Sequence, residues 1–142
     1  MIFDAYAVLA LLKGEPAAVD VQRLLEAGQA PALTAVGVAE VLDHLVRLEG
    51  STEEDAVLDL AQLGLAEAIP VDVGLATRAG LLRARHYHRS TRAVSLADCV
   101  AAEVARAEGS PLVTADPHLL ELCRDEGIDA VVLPDSSGRT WS

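Results

Sequence analysis

Apolar residues recur along the chain in two rhythms. Short, mostly apolar runs at residues 1–3, 32–36, 68–71, 111–115 and 130–133 read as five buried strand segments. Between them, apolar positions three or four apart form helical stripes: Val8, Leu11 and Leu12; Val21, Leu24 and Leu25; Val38, Val41, Leu42 and Leu45; Leu75, Ala79 and Leu82; Leu96, Val100 and Val104; Leu119, Leu122 and Cys123. The punctuation agrees. Gly14 with Pro16 stops the first helix, and Gly28 with Pro31 stops the second. Ser51 or Thr52, followed by Glu53, Glu54 and Asp55, opens a helix running to about Leu63, with acids at the positive end of its dipole. Asp72, Ser95 and the pair Asp116-Pro117 open three more. Strands that alternate with helices need right-handed crossovers and so build a parallel sheet covered on both faces. The pattern predicts a three-layer α/β/α sandwich with a parallel sheet of four to five strands. It occupies residues 1–134 as a single domain, and residues 135–142 form a polar tail.

Composition narrows this further. The chain has 142 residues, long enough for a core without disulfides or metal staples, and only four aromatics, so aliphatic residues and alanine must fill that core. No apolar stretch reaches the ~20 residues of a bilayer span, no basic leader precedes an apolar run, and Cys99 and Cys123 are not a disulfide framework. A cytoplasmic address and no membrane association are expected. The formal charge is −11, which by itself argues against nucleic-acid binding. Its distribution reverses that inference. Between Val73 and Ala97 there is no acid, and Arg78, Arg83, Arg85, Arg89 and Arg92 all fall there; the other residues comprise 6 basic and 22 acidic. One basic segment lies on an acidic body.

Four acids stand at informative places. Asp4 closes the first strand, and Asp116 follows the fourth; Glu40 and Asp98 lie in the opening turns of helices. Ligand sites in parallel α/β folds lie beyond the carboxyl ends of the strands. If the first and fourth strands are neighbours, the four carboxylates converge there. At ~4 Å and an effective dielectric of 20 each pair costs about 4 kcal/mol. Such a cluster persists if its pKa values rise or if a hard divalent cation neutralises it, and all-oxygen ligation suits Mg²⁺ or Mn²⁺. Local duties compete with this reading. Asp98 ends Ser95-Leu96-Ala97-Asp98, close to a capping box; Asp116 before Pro117 is an N-cap; Glu40 alone fits a solvated face. Asp4 has no capping need that a serine would not meet. Lone His44 reads as surface, His86 and His88 flank Tyr87 in an expected loop without the further ligands a soft-metal site needs, and the two cysteines read as inert core thiols.

The ordered segments Asp4-Ala5-Tyr6-Ala7-Val8-Leu9 with Gly14-Glu15-Pro16, Val38-Ala39-Glu40-Val41-Leu42, Ser95-Leu96-Ala97-Asp98-Cys99 and Leu112-Val113-Thr114-Ala115-Asp116-Pro117 resemble a PIN domain. More narrowly they resemble the VapC-like toxins of bacterial toxin–antitoxin pairs, over residues 1 to about 134. The resemblance implies a metal-dependent endoribonuclease, restrained by a cognate antitoxin protein and dimeric, with RNA as substrate. Its acidic quartet maps onto Asp4, Glu40, Asp98 and Asp116 as catalytic and metal-binding groups, with Thr114 as a supporting hydroxyl beside the last acid. Tyr6 departs from the pattern, standing where many relatives carry serine or threonine.

RNA contact is expected from the basic segment, through Arg85, Arg89 and Arg92. No aromatic platform for base stacking is evident, which leaves recognition to shape or a few hydrogen bonds. Two rivals stand against the nuclease. A receiver-type phosphoacceptor needs a lysine after its fifth strand, but that region reads Val131-Val132-Leu133-Pro134-Asp135, and Lys13 is the chain's only lysine. A catalytically silent binding or scaffold protein of the same fold is the other, and the presence of all four acids weighs against it.

Overall fold

The structure, a computed structural model, describes residues 1–28, 30–65 and 67–142. A two-residue strand β1 (Ile2–Phe3) runs into α1 (Ala5–Lys13), which stops where Gly14 adopts a left-handed conformation, with φ of 69°. Four further helices follow: α2 (Ala18–Glu26), α3 (Ala35–Arg47), α4 (Glu53–Gln62) and α5 (Val73–His86). The chain then forms α6 (Leu96–Glu108), β2 (Leu112–Thr114), α7 (Pro117–Glu126) and β3 (Ala130–Val132). Thr34, Thr52, Asp72 and Ser95 cap the helices they precede by accepting backbone N–H groups, as their types favour.

The strands pair in parallel in the order β1-β2-β3, with Phe3 opposite Val113 and Val113 opposite Val131. Sequence periodicity called for four to five strands, and among the described residues three form a ladder. The other two are present only as single bridges. Ala32 pairs with Ile2, and Thr34 pairs with Ile69, both in parallel sense, extending the sheet beyond β1. The local chemistry explains why they go no further. Pro31 and Pro70 flank these bridges and have no N–H to donate, and Thr34 already turns into the cap of α3.

Alternation across the short strands sends neighbouring side chains to opposite faces. Phe3 and Val113 enter a core packed by α1, α2, α3 and α4. Ile2 and Leu112 enter a second core packed by α5, α6 and α7, in which Cys99 and Cys123 are buried. Both cores are aliphatic, and Phe3 is their one fully buried aromatic. The three-layer α/β architecture with a parallel sheet is therefore present. Among the described residues no helix is long and apolar enough to cross a membrane.

Candidate functional site

β1 and β2 are adjacent, so the chain leaving each of them turns into a helix at the same edge of the sheet. α6 starts there too. The result is a cavity of about 460 Å³ lined by Asp4, Glu40, Asp98, Asp116 and Asp135, with Ala5, Tyr6, Leu9, Ala115, Pro117 and Ser136 completing its walls. No lysine or arginine is among the lining residues.

Three of the acids also bond the backbone at helix starts, two as N-caps and one within a capping box. Asp4 Oδ1 accepts from the backbone N–H of Ala7 at 2.9 Å, so Asp4 caps α1, a duty the sequence reading had set aside as one a serine would meet equally well. Asp98 closes a capping box on α6: Ser95 N–H donates to Asp98 Oδ2 at 2.8 Å, and Asp98 N–H donates to Ser95 Oγ at 3.0 Å. Asp116 Oδ1 accepts from His118 N–H at 2.8 Å at the start of α7. The positive ends of three helix dipoles thus point at the cluster and offset part of its repulsion. Each cap consumes little of the carboxylate. Among the described residues, Asp98 Oδ1, Asp116 Oδ2 and both oxygens of Glu40 have no protein donor.

Thr114 joins two members of the cluster. Its hydroxyl donates a short hydrogen bond to Asp4 Oδ2 and accepts from the backbone N–H of Asp116 at 3.0 Å. Asp4 is 9% exposed, and burial pushes its carboxyl up to about 7; the Thr114 and Ala7 hydrogen bonds pull it down, and the charges of Asp98 and Asp116 push it up. Asp98 is raised by burial and by Asp116, against the pull of Ser95. Glu40 is raised by burial and by Asp98. These shifts are what burial of carboxylates produces, with neighbouring like charges adding a smaller push in the same direction. Among the described residues, no three carboxylate, imidazole or thiol groups are already drawn round one point closely enough to cage an ion. The donor chemistry nevertheless fits a hard divalent cation: all-oxygen, strongly anionic, with lone pairs to spare and no basic side chain to compete.

Asp135 and Ser136 were not singled out by sequence reasoning, and Tyr6 stood out only as a departure from the family pattern. Asp135 follows β3 as Asp4 follows β1, so an acid just beyond the end of a parallel strand was an available signal. Its Oδ1 is taken by its own turn, accepting from Ser137 N–H, Ser137 Oγ–H and Arg139 N–H, which holds its carboxyl below the usual range.

The basic segment splits into two behaviours. Arg92 is 18% exposed and bonds Asp125 Oδ2 at 3.0 Å, with Glu121 at 3.6 Å. Arg85 lies 3.6 Å from Glu126, to which His86 is also paired at 2.8 Å. Arg83 donates to the carbonyl of Val94 and stacks over Tyr87. Arg89 is exposed in the turn closed by the reciprocal His88–Arg92 backbone pair, and no carboxylate among the described residues lies within ion-pair distance of it. Contact between His118 Nδ1 and the carbonyl of Thr91, at 3.1 Å, ties this turn to the first turn of α7, beside Asp116.

A family model for the PIN domain matches residues 1–125. No curated protein matches the chain. Among solved structures it is similar to a toxin–antitoxin complex from Klebsiella pneumoniae, at 19% identity over 81% of this chain and 85% of that chain, with a TM-score of 0.60. It is similar to VapBC2 from Rickettsia felis, a structure bound to a DNA fragment from its promoter, at 21% identity over 92% and 98%, TM-score 0.65. It is also similar to FitAcB from Neisseria gonorrhoeae, at 17% identity over 91% and 94%, TM-score 0.66. At these identities the likeness is one of fold.

Proposed function

The chain belongs to the PIN-domain family, and from that premise we propose that it is a metal-dependent endoribonuclease, the toxin of a type II toxin–antitoxin pair. The observation that carries this reading is the single cavity into which β1, α3, α6 and the β2–α7 turn deliver Asp4, Glu40, Asp98 and Asp116. Those four would hold Mg²⁺ or Mn²⁺, Asp4 and Asp98 as principal ligands and Glu40 and Asp116 directly or through water. Divalent cations held there would lower the pKa of an attacking water and offset charge on the phosphate and the leaving oxygen.

The chain's own groups supply the rest. Asp4 is held by Ala7 N–H and the Thr114 hydroxyl, so its carboxylate does not have to be ordered when substrate arrives. Thr114 also ties the backbone at Asp116 to Asp4, so the two acids move as one unit. Glu40 has no donor among the described residues, which leaves both of its oxygens free for the cation or for a water bound to it. An anionic RNA strand entering a cavity whose charged side chains are all acidic is repelled without a counter-cation, so productive binding requires the metal. Phosphates further along the strand are assigned to the basic segment, with exposed Arg89 in the lead and Arg85 and Arg92, each paired to carboxylates of α7, in support.

The relatives crystallised as toxin–antitoxin assemblies support a protein antitoxin as partner, and a homodimer is the proposed state of the free chain. The deciding experiment is cleavage of a fluorogenic RNA with Mn²⁺ and with EDTA, by wild type and Asp98→Asn. Cleavage that requires Mn²⁺ and is lost in a folded variant supports the assignment; EDTA-resistant cleavage refutes it. Co-expression with the neighbouring open reading frame, followed by co-purification, tests the antitoxin.

A further inference from the structure

Part of the cavity is not built for charge. Alongside the carboxylates it is walled by Leu9, Ala115, Pro117 and Tyr6, the one aromatic side chain among its lining residues. Tyr6 is half-buried: one part of it packs on the core formed by α1–α4, and the rest lines the cavity two residues from Asp4. Its hydroxyl donates to the carbonyl oxygen of Pro134 at 2.9 Å, across 128 positions of sequence. The ring is pinned at both ends, by packing and by that hydrogen bond. The Pro134 contact also seats the turn that carries Asp135 and Ser136 into the wall; that turn lies beyond the residues matched by the PIN-domain model.

A nucleotide has the same two-part chemistry as this cavity: an anionic phosphate, which needs the cation-binding acids, and a flat apolar base face, which does not. We propose that Tyr6 is a specificity-determining residue, its immobilised ring stacking on the nucleobase next to the scissile phosphate. This rests on the nuclease reading of the same site. A preordered ring loses no rotamer freedom on binding, and base–aromatic stacking contributes about 1–3 kcal/mol per base, or roughly tenfold to a hundredfold in affinity. Stacking tolerates any base, so the subsite should demand that a base be present and unpaired, favouring single-stranded over duplex RNA.

The test uses full-length protein in Mn²⁺ and a set of single-stranded RNA oligomers cut at one mapped bond, identical except for an abasic unit at one position on either side of that bond. Wild type should lose roughly tenfold to a hundredfold in KM on one of the abasic substrates, with kcat less affected. Tyr6→Leu, which keeps bulk in the wall, should cut the intact and abasic oligomers equally. Tyr6→Phe keeps the ring and frees the Pro134 carbonyl, and it should retain most of the discrimination. The proposal is overturned if wild type ignores the missing base, or if Tyr6→Leu still discriminates as wild type does. EDTA-sensitive cleavage of the intact oligomer by wild type is the internal control. If that is absent, the nuclease reading itself fails; if it is present without base dependence, only the stacking role fails.

Discussion

Replacing Asp4 by asparagine should make the metal-free protein more stable, and increasingly so as pH rises towards neutrality. The native carboxyl titrates at about 7, against an ordinary value of 3.8, because it is buried beside Asp98 and Asp116. Between those two values the folded state holds a proton that the unfolded state has released. Unfolding therefore gives up a proton, and raising the pH favours the unfolded chain. The destabilisation accumulates at about 1.4 kcal/mol per pH unit through the middle of the window and levels off above the folded pKa. From about pH 5 to about pH 7 it amounts to about 2 kcal/mol, or roughly 6 °C in Tm for a domain of this size. Asparagine keeps an oxygen to cap α1 and cannot ionise. The stabilities of variant and wild type, measured by urea unfolding in EDTA, should diverge by that amount in the variant's favour. Acids whose pKa is lowered elsewhere, such as Glu126 and Asp43, are common to both proteins and cancel. Saturating Mn²⁺ should reverse the order, because a cation bound only to the folded wild type adds about 2.7 kcal/mol at a hundred times its Kd. A stability difference that is flat, or that shrinks with pH, would show that Asp4 ionises as an ordinary surface acid, and the buried-carboxylate argument would be wrong.

Other expectations follow from the same geometry. Asp98→Asn should lower RNA cleavage by at least about a hundredfold, with far-UV circular dichroism unchanged, because the amide oxygen can still accept from Ser95 N–H while the charge is gone. Thr114→Val strips Asp4 of its hydroxyl donor and Asp116 N–H of its acceptor; a loss of about 1–3 kcal/mol in urea unfolding and an upward-shifted pH–rate profile are expected. Arg89→Glu should leave stability within about 0.5 kcal/mol and flatten the salt dependence of RNA affinity, as loss of a phosphate contact does. Arg92→Glu should instead cost roughly 3 kcal/mol or more, because it places a carboxylate against Asp125 and Glu121 in a mostly buried position.

The layer order and most helix boundaries were legible because they depend on local signals. Gly14 ends α1, Thr52 begins α4 and Pro117 opens α7 where turn and cap chemistry place them. The second and third strands were not legible at their true length. Apolar content shows that a segment is buried, but ladder length depends on N–H groups on both partners, and Pro31 and Pro70 remove them. The acids at strand ends were visible for the same local reason as the helices. That they share one cavity is a non-local consequence of β1 lying beside β2, which no spacing in a single chain encodes. Asp135 carried the same local signal, an acid just beyond a parallel strand, and was passed over, while the place of Tyr6 in the cavity wall depends on a carbonyl 128 residues away. The basic segment shows the opposite error of inference. As a string, its arginines look equivalent, yet α7 supplies carboxylates to Arg85 and Arg92 and none within ion-pair distance, among the described residues, to Arg89.

Capping and metal binding were rival explanations for Asp98 and Asp116, and the structure shows that they need not compete. A cap needs one acceptor oxygen facing back into the first turn, and a carboxylate has two oxygens. Asp98 uses Oδ2 for Ser95 and Asp116 uses Oδ1 for His118, so the second oxygen of each is left for a ligand. The arrangement also fixes where those free oxygens lie, since a carboxylate bonded to its own helix start cannot swing away. Preorganising anionic ligands in this way is costly in the apo protein, and the raised carboxyls of Asp4, Asp98 and Glu40 record that cost. A serine at 116 would cap α7 nearly as well, a serine at 98 would leave Ser95 in place as the N-cap of α6, and either variant would relieve the repulsion. Its free energy of folding without metal should then match or exceed that of wild type, while its gain on adding Mn²⁺ should vanish. If the serine variants gained as much from Mn²⁺ as wild type does, these acids would be caps and nothing more.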